Sequence, residues 1–331
     1  MKLKIMAAAM CMVVLFCGCA EEDQTLTETD KQQPIVVGFS QVGAESEWRV
    51  ANTESIKAAL SEENGYELIF DDARNEQENQ IKAIRTFIQQ DVDYIVFSPR
   101  VETGWNSILQ EAKDAGIPVI VTDRYIETAD EELYSAYIGS DFRKEGEKAV
   151  EWLKNLLRKQ GRTEESIGIV HIQGTLSSSA QIGRTAALEQ AVGENPNWRI
   201  IAQEDGDFTR AKAYEVMGEI LRKTLDIDVV YCENDGEALG AIDAMKEMGL
   251  ECNVNGGVIV ISFDATKRAL EYCMEGKIGL TVECNPLQGP YVDEIIQKLN
   301  RGEPIERQKF IDETQFDFFN VTQEIIDSRK Y

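Results

Sequence analysis

From Pro34 onward the chain repeats one unit: a short run rich in β-branched and aromatic residues, then an amphipathic stretch of ten to sixteen residues. No other feature constrains the fold as strongly. Parallel strands covered on both faces read as near-continuous apolar runs, and each needs a crossover helix to reach the next. Residues 35–39, 66–70, 93–97 and 117–121 are predicted as buried strands. Between them Ile81, Ile84, Phe87 and Ile88 mark one helical face, and Ile108, Leu109 and Ala112 mark another. A second series follows Ser140, with strands predicted over 167–172, 198–202, 227–231, 258–262 and 278–282. Its helices include 210–221, 237–248 and 267–274. Two series, each too long to share one sheet comfortably, predict an α/β chain of two doubly wound parallel-sheet lobes. No internal repeat is visible at the level of motifs.

Composition narrows the function. The 331 residues include 59 Asp and Glu against 34 Lys and Arg, a formal net charge of −25. Such a surface repels phosphate backbones, which excludes nucleic acid bound over a broad basic face. One histidine, His171, leaves little room for histidine metal sites or triads, and it falls in mid-strand, where a buried or sheet-lining role is expected. At the N-terminus, Lys2 and Lys4 precede an apolar run over residues 5–17, the layout of an export signal and too short to span a bilayer. Gly18-Cys19, followed by acidic residues, resembles a bacterial lipobox, with Cys19 as the lipidated new N-terminus, although Phe16 stands where leucine is usual. The competing reading is a plain secretory signal with incidental cysteines. Residues 1–19 are therefore expected to be a lipoprotein signal peptide, and the polar, acidic residues 20–33 a flexible tether.

In open α/β sheets ligands sit beyond the carboxyl ends of the strands. In the first series those ends supply Ser40 and Gln41, then Glu45, Glu47, Trp48 and Arg49, and later Asp123 and Arg124. The second series supplies Gln173, Asp207, Phe208, Glu233, Asn234, Asp235, Asp264 and Asn285, with Arg184 just inside a helix. These are planar or forked hydrogen-bonding groups beside two aromatics, a set suited to a polyhydroxylated ligand. The bland alternative for each Asp or Asn is a helix N-cap. Enzyme signatures are missing: no GxGxxG after a strand, no GxxxxGK[ST] and no GxSxG. No cofactor or metal is implied.

The residues at these ends carry a family resemblance. Val37-Gly38-Phe39-Ser40-Gln41-Val42-Gly43, Glu45-Ser46-Glu47-Trp48-Arg49, Glu78-Asn79-Gln80-Ile81, Thr103-Gly104-Trp105, Asp114-Ala115-Gly116-Ile117-Pro118-Val119 and Gly206-Asp207-Phe208-Thr209-Arg210 resemble the type I periplasmic sugar-binding proteins of ABC transporters, in particular their galactofuranose-binding branch. The resemblance covers about residues 34–331. It implies a ligand set of Gln41, Glu45, Trp48, Arg49, Asp123, Arg124, Arg184, Phe208, Asn234, Asp264 and Asn285. It also implies three crossings between lobes, near 139–141, 284–286 and 309–312. The N-terminal lobe would then be 34–139 plus 286–308, and the C-terminal lobe 140–285 plus 309–331. The implied function is capture of a monosaccharide, galactofuranose-like or another furanose or pentose, by an exported, lipid-anchored, monomeric protein that delivers it to the permease of an ABC importer. Arg100 and Glu102 depart from the branch, and would either alter the pocket rim or form a surface ion pair. Cys232, Cys252, Cys273 and Cys284 allow three disulfide pairings or free thiols near the pocket.

A sugar-sensing co-receptor for a chemoreceptor or sensor kinase is the alternative function, because the same lobes can present bound sugar to either. A repressor built on such lobes would need a basic helix-turn-helix before residue 34, where this chain has the lipobox-like motif and acidic tether.

Overall fold

The computed structural model describes residues 33–331. The expected signal peptide, the lipidation at Cys19 and the tether up to residue 32 lie outside the described residues. No helix among the described residues is long and apolar enough to cross a membrane.

The strands are β1 (Ile35–Gln41), β2 (Tyr66–Asp72), β3 (Tyr94–Phe97), β4 (Val119–Asp123), β5 (Ala136–Gly139), β6 (Ile167–Gln173), β7 (Trp198–Asp205), β8 (Val229–Cys232), β9 (Ile259–Asp264), β10 (Leu280–Glu283), β11 (Gln308–Phe310) and β12 (Gln315–Asp317). The helices are α1 (Glu47–Ala59), α2 (Gln77–Gln89), α3 (Asn106–Asp114), α4 (Phe142–Lys159), α5 (Ser179–Glu194), α6 (Arg210–Leu221), α7 (Asp235–Glu247), α8 (Lys267–Met274), α9 (Gly289–Asn300) and α10 (Gln323–Ser328).

Two six-stranded sheets result, ordered β11-β5-β4-β3-β1-β2 and β12-β10-β9-β8-β6-β7. Strands β6 to β10 take the places of β1 to β5, so the lobes share one winding although no motif repeats in the sequence. All pairings are parallel except β10 with β12. The expectation of two doubly wound lobes therefore holds.

Three short strands escaped the periodicity: β5, β11 and β12. A three- or four-residue strand contains too few alternations to register as a period, and β11 is a mostly exposed edge strand. Strand β11 pairs Lys309 with Ile138 and Phe310 with Gly139. The first sheet thus runs to Phe310, two residues past the expected boundary at 308.

Each sheet buries both faces. In the first lobe Val37, Phe39 and Val96 pack against Ile56, Leu60, Val292 and Ile296 of α1 and α9. The opposite face sets Ile95 and Phe97 against Ile84, Phe87, Ile108 and Leu109 of α2 and α3. The second lobe repeats this with Leu153, Leu156 and Leu188 on one side and Met217, Ile242 and Met245 on the other. Each such side chain contributes about 1.5–3 kcal/mol. Helices α1 and α9 touch closely enough that a Cβ on Gly289 would lie 2.0 Å from the Ser55 carbonyl oxygen, so only glycine fits there.

What positions the site is the order strand, cap, helix. Ser46, Asp141, Ser178, Thr209, Asn234 and Thr266 each accept a backbone N–H at a helix start. Satisfying these otherwise orphaned donors fixes the first turns at the carboxyl ends of the sheets.

Candidate ligand-binding site

The two carboxyl edges form a small cavity lined by Glu45, Ser46, Trp48, Arg49, Asp123, Arg124, Phe142, Ala180, Arg184, Phe208, Asn234, Asp264 and Cys284. Arg49, Asp123, Arg124, Arg184 and Asn234 are each 3% exposed or less, so the lobes are closed over it. Rim contacts accompany closure. Tyr125 donates its N–H to Ser179 Oγ at 2.8 Å, and Glu102 donates its N–H to the Ser177 carbonyl at 3.0 Å. Asn75 Nδ2 reaches Asp207 Oδ2 at 3.3 Å.

In the first lobe, α1 opens immediately after its cap Ser46, which puts Trp48 and Arg49 in its first turn. The indole Nε1–H donates to the Cys284 carbonyl at 2.6 Å and thereby locks the ring. Arg49 donates Nε to Glu45 Oε1 at 3.0 Å, while its Nη1 lies 2.6 Å from Asp123 Oδ2. Burial opposes the Arg49 charge, but Asp123 and Glu45 outweigh it and hold the guanidinium firmly protonated. Burial likewise raises the Glu45 carboxyl, and Arg49 with Arg124 reverses this, leaving it below the usual range. Arg124 donates Nη1 to the Arg100 carbonyl at 3.0 Å, and stands over the Phe208 ring at 5.2 Å. Burial and then the neighbouring Arg49 push its pKa down to about 10, against Glu45 and Asp123.

The second lobe supplies Arg184, which donates Nε to Glu145 Oε2 at 2.7 Å and Nη1 to the Glu233 carbonyl. Its guanidinium lies 4.6 Å from the Phe263 ring and 5.3 Å from that of Phe142. Burial disfavours this charge, but Glu145 prevails and keeps it well protonated. Phe208 sits in the left-handed region at φ 57°, and its ring occupies the space that a Cβ on Gly174 would fill, 2.0 Å away. Asn234 caps α7, accepting from the Glu237 N–H at 2.8 Å, and donates Nδ2 to the Phe208 carbonyl at 3.0 Å. Both the cap and the wall readings of Asn234 are therefore met. Asp264 ends β9 at φ 105°, and no hydrogen-bond donor among the described residues reaches its carboxylate. Burial first, then Asp235, raise its pKa well above the carboxylate range.

Positive φ at Asp123 (65°), Asp207 (50°), Phe208 and Asp264 concentrates backbone strain at these strand ends. Such strain persists where surrounding structure enforces it, commonly at ligand sites.

Nine of the residues expected from the sequence line the cavity: Glu45, Trp48, Arg49, Asp123, Arg124, Arg184, Phe208, Asn234 and Asp264. Two do not. Gln41 lies behind the wall, where its Oε1 accepts from Arg49 Nη1 at 3.3 Å and its Nε2 donates to Asn52 and Thr53 at 3.0 Å. Asn285 is drawn into the crossing instead: its Oδ1 accepts the Leu287 N–H at 2.9 Å, and its own N–H donates to Glu313 Oε1 at 2.7 Å. Ser46, Phe142, Ala180 and Cys284 were missed. Phe142 follows β5 by three positions and was hidden because that strand was, and Ser46 and Ala180 carry no sequence signal beyond their neighbours; Cys284 was outside the implied ligand set but meets the expectation of a free thiol near the pocket.

Arg100 and Glu102 form no ion pair with each other among the described residues; their backbones build the rim. All four described cysteines of the second series are free thiols, which rules out the three pairings in this structure. Mid-strand His171 is buried, with Nε2 2.9 Å from Glu233 Oε1.

Residues 37–297 match the family described as "Periplasmic binding protein domain". The chain belongs to the type I periplasmic binding proteins. As a member it is a solute-binding protein and not an enzyme. It is 38% identical over 266 residues to the galactofuranose-binding protein YtfQ of Escherichia coli (strain K12), covering 79% of this chain and 81% of that one. A crystal structure from Mycobacterium smegmatis in complex with β-D-fucofuranose superposes with a TM-score of 0.82 at 42% identity, covering 87% of this chain and 92% of that one. The periplasmic component of the arabinose ABC transporter from Shewanella sp. ANA-3, bound to α- and β-L-arabinofuranose, gives a TM-score of 0.82 at 37% identity, covering 89% and 95%.

Proposed function

We propose that this chain captures a monosaccharide in furanose form between its two lobes and passes it to an ABC importer, as an exported protein anchored through lipidated Cys19. The observation that carries the reading is the cavity's mismatch with itself. Among the described residues Glu45 Oε2 is buried without a hydrogen-bond partner, and no protein group hydrogen-bonds the Asp264 carboxyl or Nη2 of Arg49 and Arg184, which line the same cavity. A buried polar atom left unpaired, as Glu45 Oε2 is, costs about 1–3 kcal/mol, and a ligand that both donates and accepts hydrogen bonds along its edge would satisfy it together with the other free groups. Trp48, Phe142 and Phe208 offer flat apolar walls to the C–H faces of such a ligand.

In this reading Arg49, Arg124 and Arg184 donate to ring or hydroxyl oxygens, Glu45, Asp123 and Asp264 accept, and Asn234 contributes its remaining N–H. Gln41 positions Arg49, and Asn285 shapes the hinge. The lobes are 34–139 with 286–310, and 140–285 with 311–331, joined by three crossings. The furanose ligands of the relatives support the ring form.

Calorimetry of the mature protein against D-galactose, D-fucose, L-arabinose, D-ribose and D-glucose tests the assignment. Heat is expected with at least one of the first four, which reach furanose forms readily. Silence with all of them would sink it. Labelled palmitate incorporated into the wild type and lost in Cys19→Ala would support the anchor; equal labelling of both would oppose it.

A further inference from the structure

A second compartment adjoins the cavity and shares part of its lining. Glu45, Ser46, Trp48 and Asp264 line both, and the new walls are Glu47, Arg210, Asp235, Gly236, Leu239 and Thr266. It is the roomier of the two spaces. We propose that this compartment receives a substituent carried by the bound sugar, either a second sugar residue or a similar polyhydroxylated aglycone, so that the ligands include furanosides as well as the free monosaccharide. The inference rests on the sugar-binding reading above and extends it.

Three observations carry it. Trp48 is pinned by its Nε1–H bond to the Cys284 carbonyl and lines both compartments, so it offers one fixed apolar surface along which a ligand can extend from the first into the second. The Asp264 carboxylate, unpartnered among the described residues, lines both spaces and can accept from a hydroxyl on either side of a glycosidic link. The lining itself is amphipathic: Trp48 and Leu239 present apolar surface, while Glu47 and Arg210 stand exposed at the margin. Arg210 is held only by an exposed ion pair with Asp243, 2.6 Å away, and such pairs are worth little, so its guanidinium is available to a ligand. Asp235, by contrast, is fully engaged with Ser262, Thr266 and Thr281 and serves as wall.

Calorimetry with D-galactose, L-arabinose and sets of galactofuranosyl and arabinofuranosyl disaccharides, linked through each hydroxyl in turn, separates the outcomes. At least one disaccharide is expected to bind within about tenfold of its monosaccharide. Leu239→Trp, which fills the second compartment alone, should weaken that disaccharide by about tenfold or more and leave the monosaccharide within about twofold. Arg210→Trp closes the same space from the solvent side and stands in if Leu239→Trp fails to fold. Every disaccharide binding more than tenfold weaker than its monosaccharide would overturn the proposal, as would disaccharide affinity indifferent to the filling variant. Silence of the monosaccharides themselves would defeat the sugar assignment instead.

Discussion

At the scale of single residues the site is an arrangement of buried charges that neutralise one another incompletely. Arg49 is clamped between Glu45 and Asp123. Breaking a buried pair by removing one member costs about 3–5 kcal/mol, because the stranded charge stays desolvated. Arg49→Ala should therefore lower unfolding stability by about that amount in denaturant titrations as well as abolish binding. Arg124 is different, since its strongest geometric tie is to a backbone carbonyl. Arg124→Ala should lower sugar affinity by about 1.5–3 kcal/mol, the scale of a charge-assisted hydrogen bond, with a smaller stability loss than Arg49→Ala. Unchanged affinity would remove Arg124 from the site.

At the scale of elements the crossings between lobes meet in one buried cluster. Ser140 Oγ donates to Glu313 Oε1 at 2.6 Å and lies 3.4 Å from Cys284 Sγ, while Glu145 of α4 brings a carboxyl oxygen within 4.8 Å of Cys284 Sγ and of a Glu313 carboxyl oxygen. Burial, then the nearby Glu145, push the Glu313 pKa up to about 9. Above the unfolded value of about 4.5 the native state holds a proton that the unfolded chain has released, so stability falls as pH rises toward about 9 and levels off beyond it. Glu313→Gln keeps the acceptor for Ser140 and Asn285 but removes the charge. It should melt at higher temperature than wild type at pH 8 and nearly the same at pH 4.5. A difference in melting temperature between Glu313→Gln and wild type that stays constant across that range would refute the raised Glu313 pKa. The same crossings show where the sequence was legible. Residues that follow a strong strand directly, such as Glu45 to Arg49 after β1 and Asp123 to Arg124 in β4 and beyond it, could be placed from periodicity and the strand-end rule. Phe142 could not, because β5 is too short to leave a period. Asn285 was misplaced because an Asx turn and a hinge carboxylate compete for its polar groups, which spacing does not reveal.

At the scale of the molecule, two lobes that share the winding of their first five strands close over a cavity that neither could build alone. Their contacts across the rim involve few groups, chiefly Tyr125 with Ser179, Glu102 with Ser177 and Asn75 with Asp207. A sugar that binds only the closed form should stabilise it by mass action, by about 2.7 kcal/mol at a hundredfold excess over Kd. Cys284, buried on the cavity wall with its thiol pKa raised well above normal by burial, should react slowly with maleimide, and more slowly still with sugar present. Equal rates with and without sugar would place the thiol outside the closing cleft. Carbon-13 NMR of [1-¹³C]galactose and [1-¹³C]arabinose titrated with the protein tests the central claim most directly. The account predicts that the bound anomeric carbon resonates as a furanose while the free pool stays mainly pyranose. A bound pyranose signal, or no bound signal with either sugar, would contradict it.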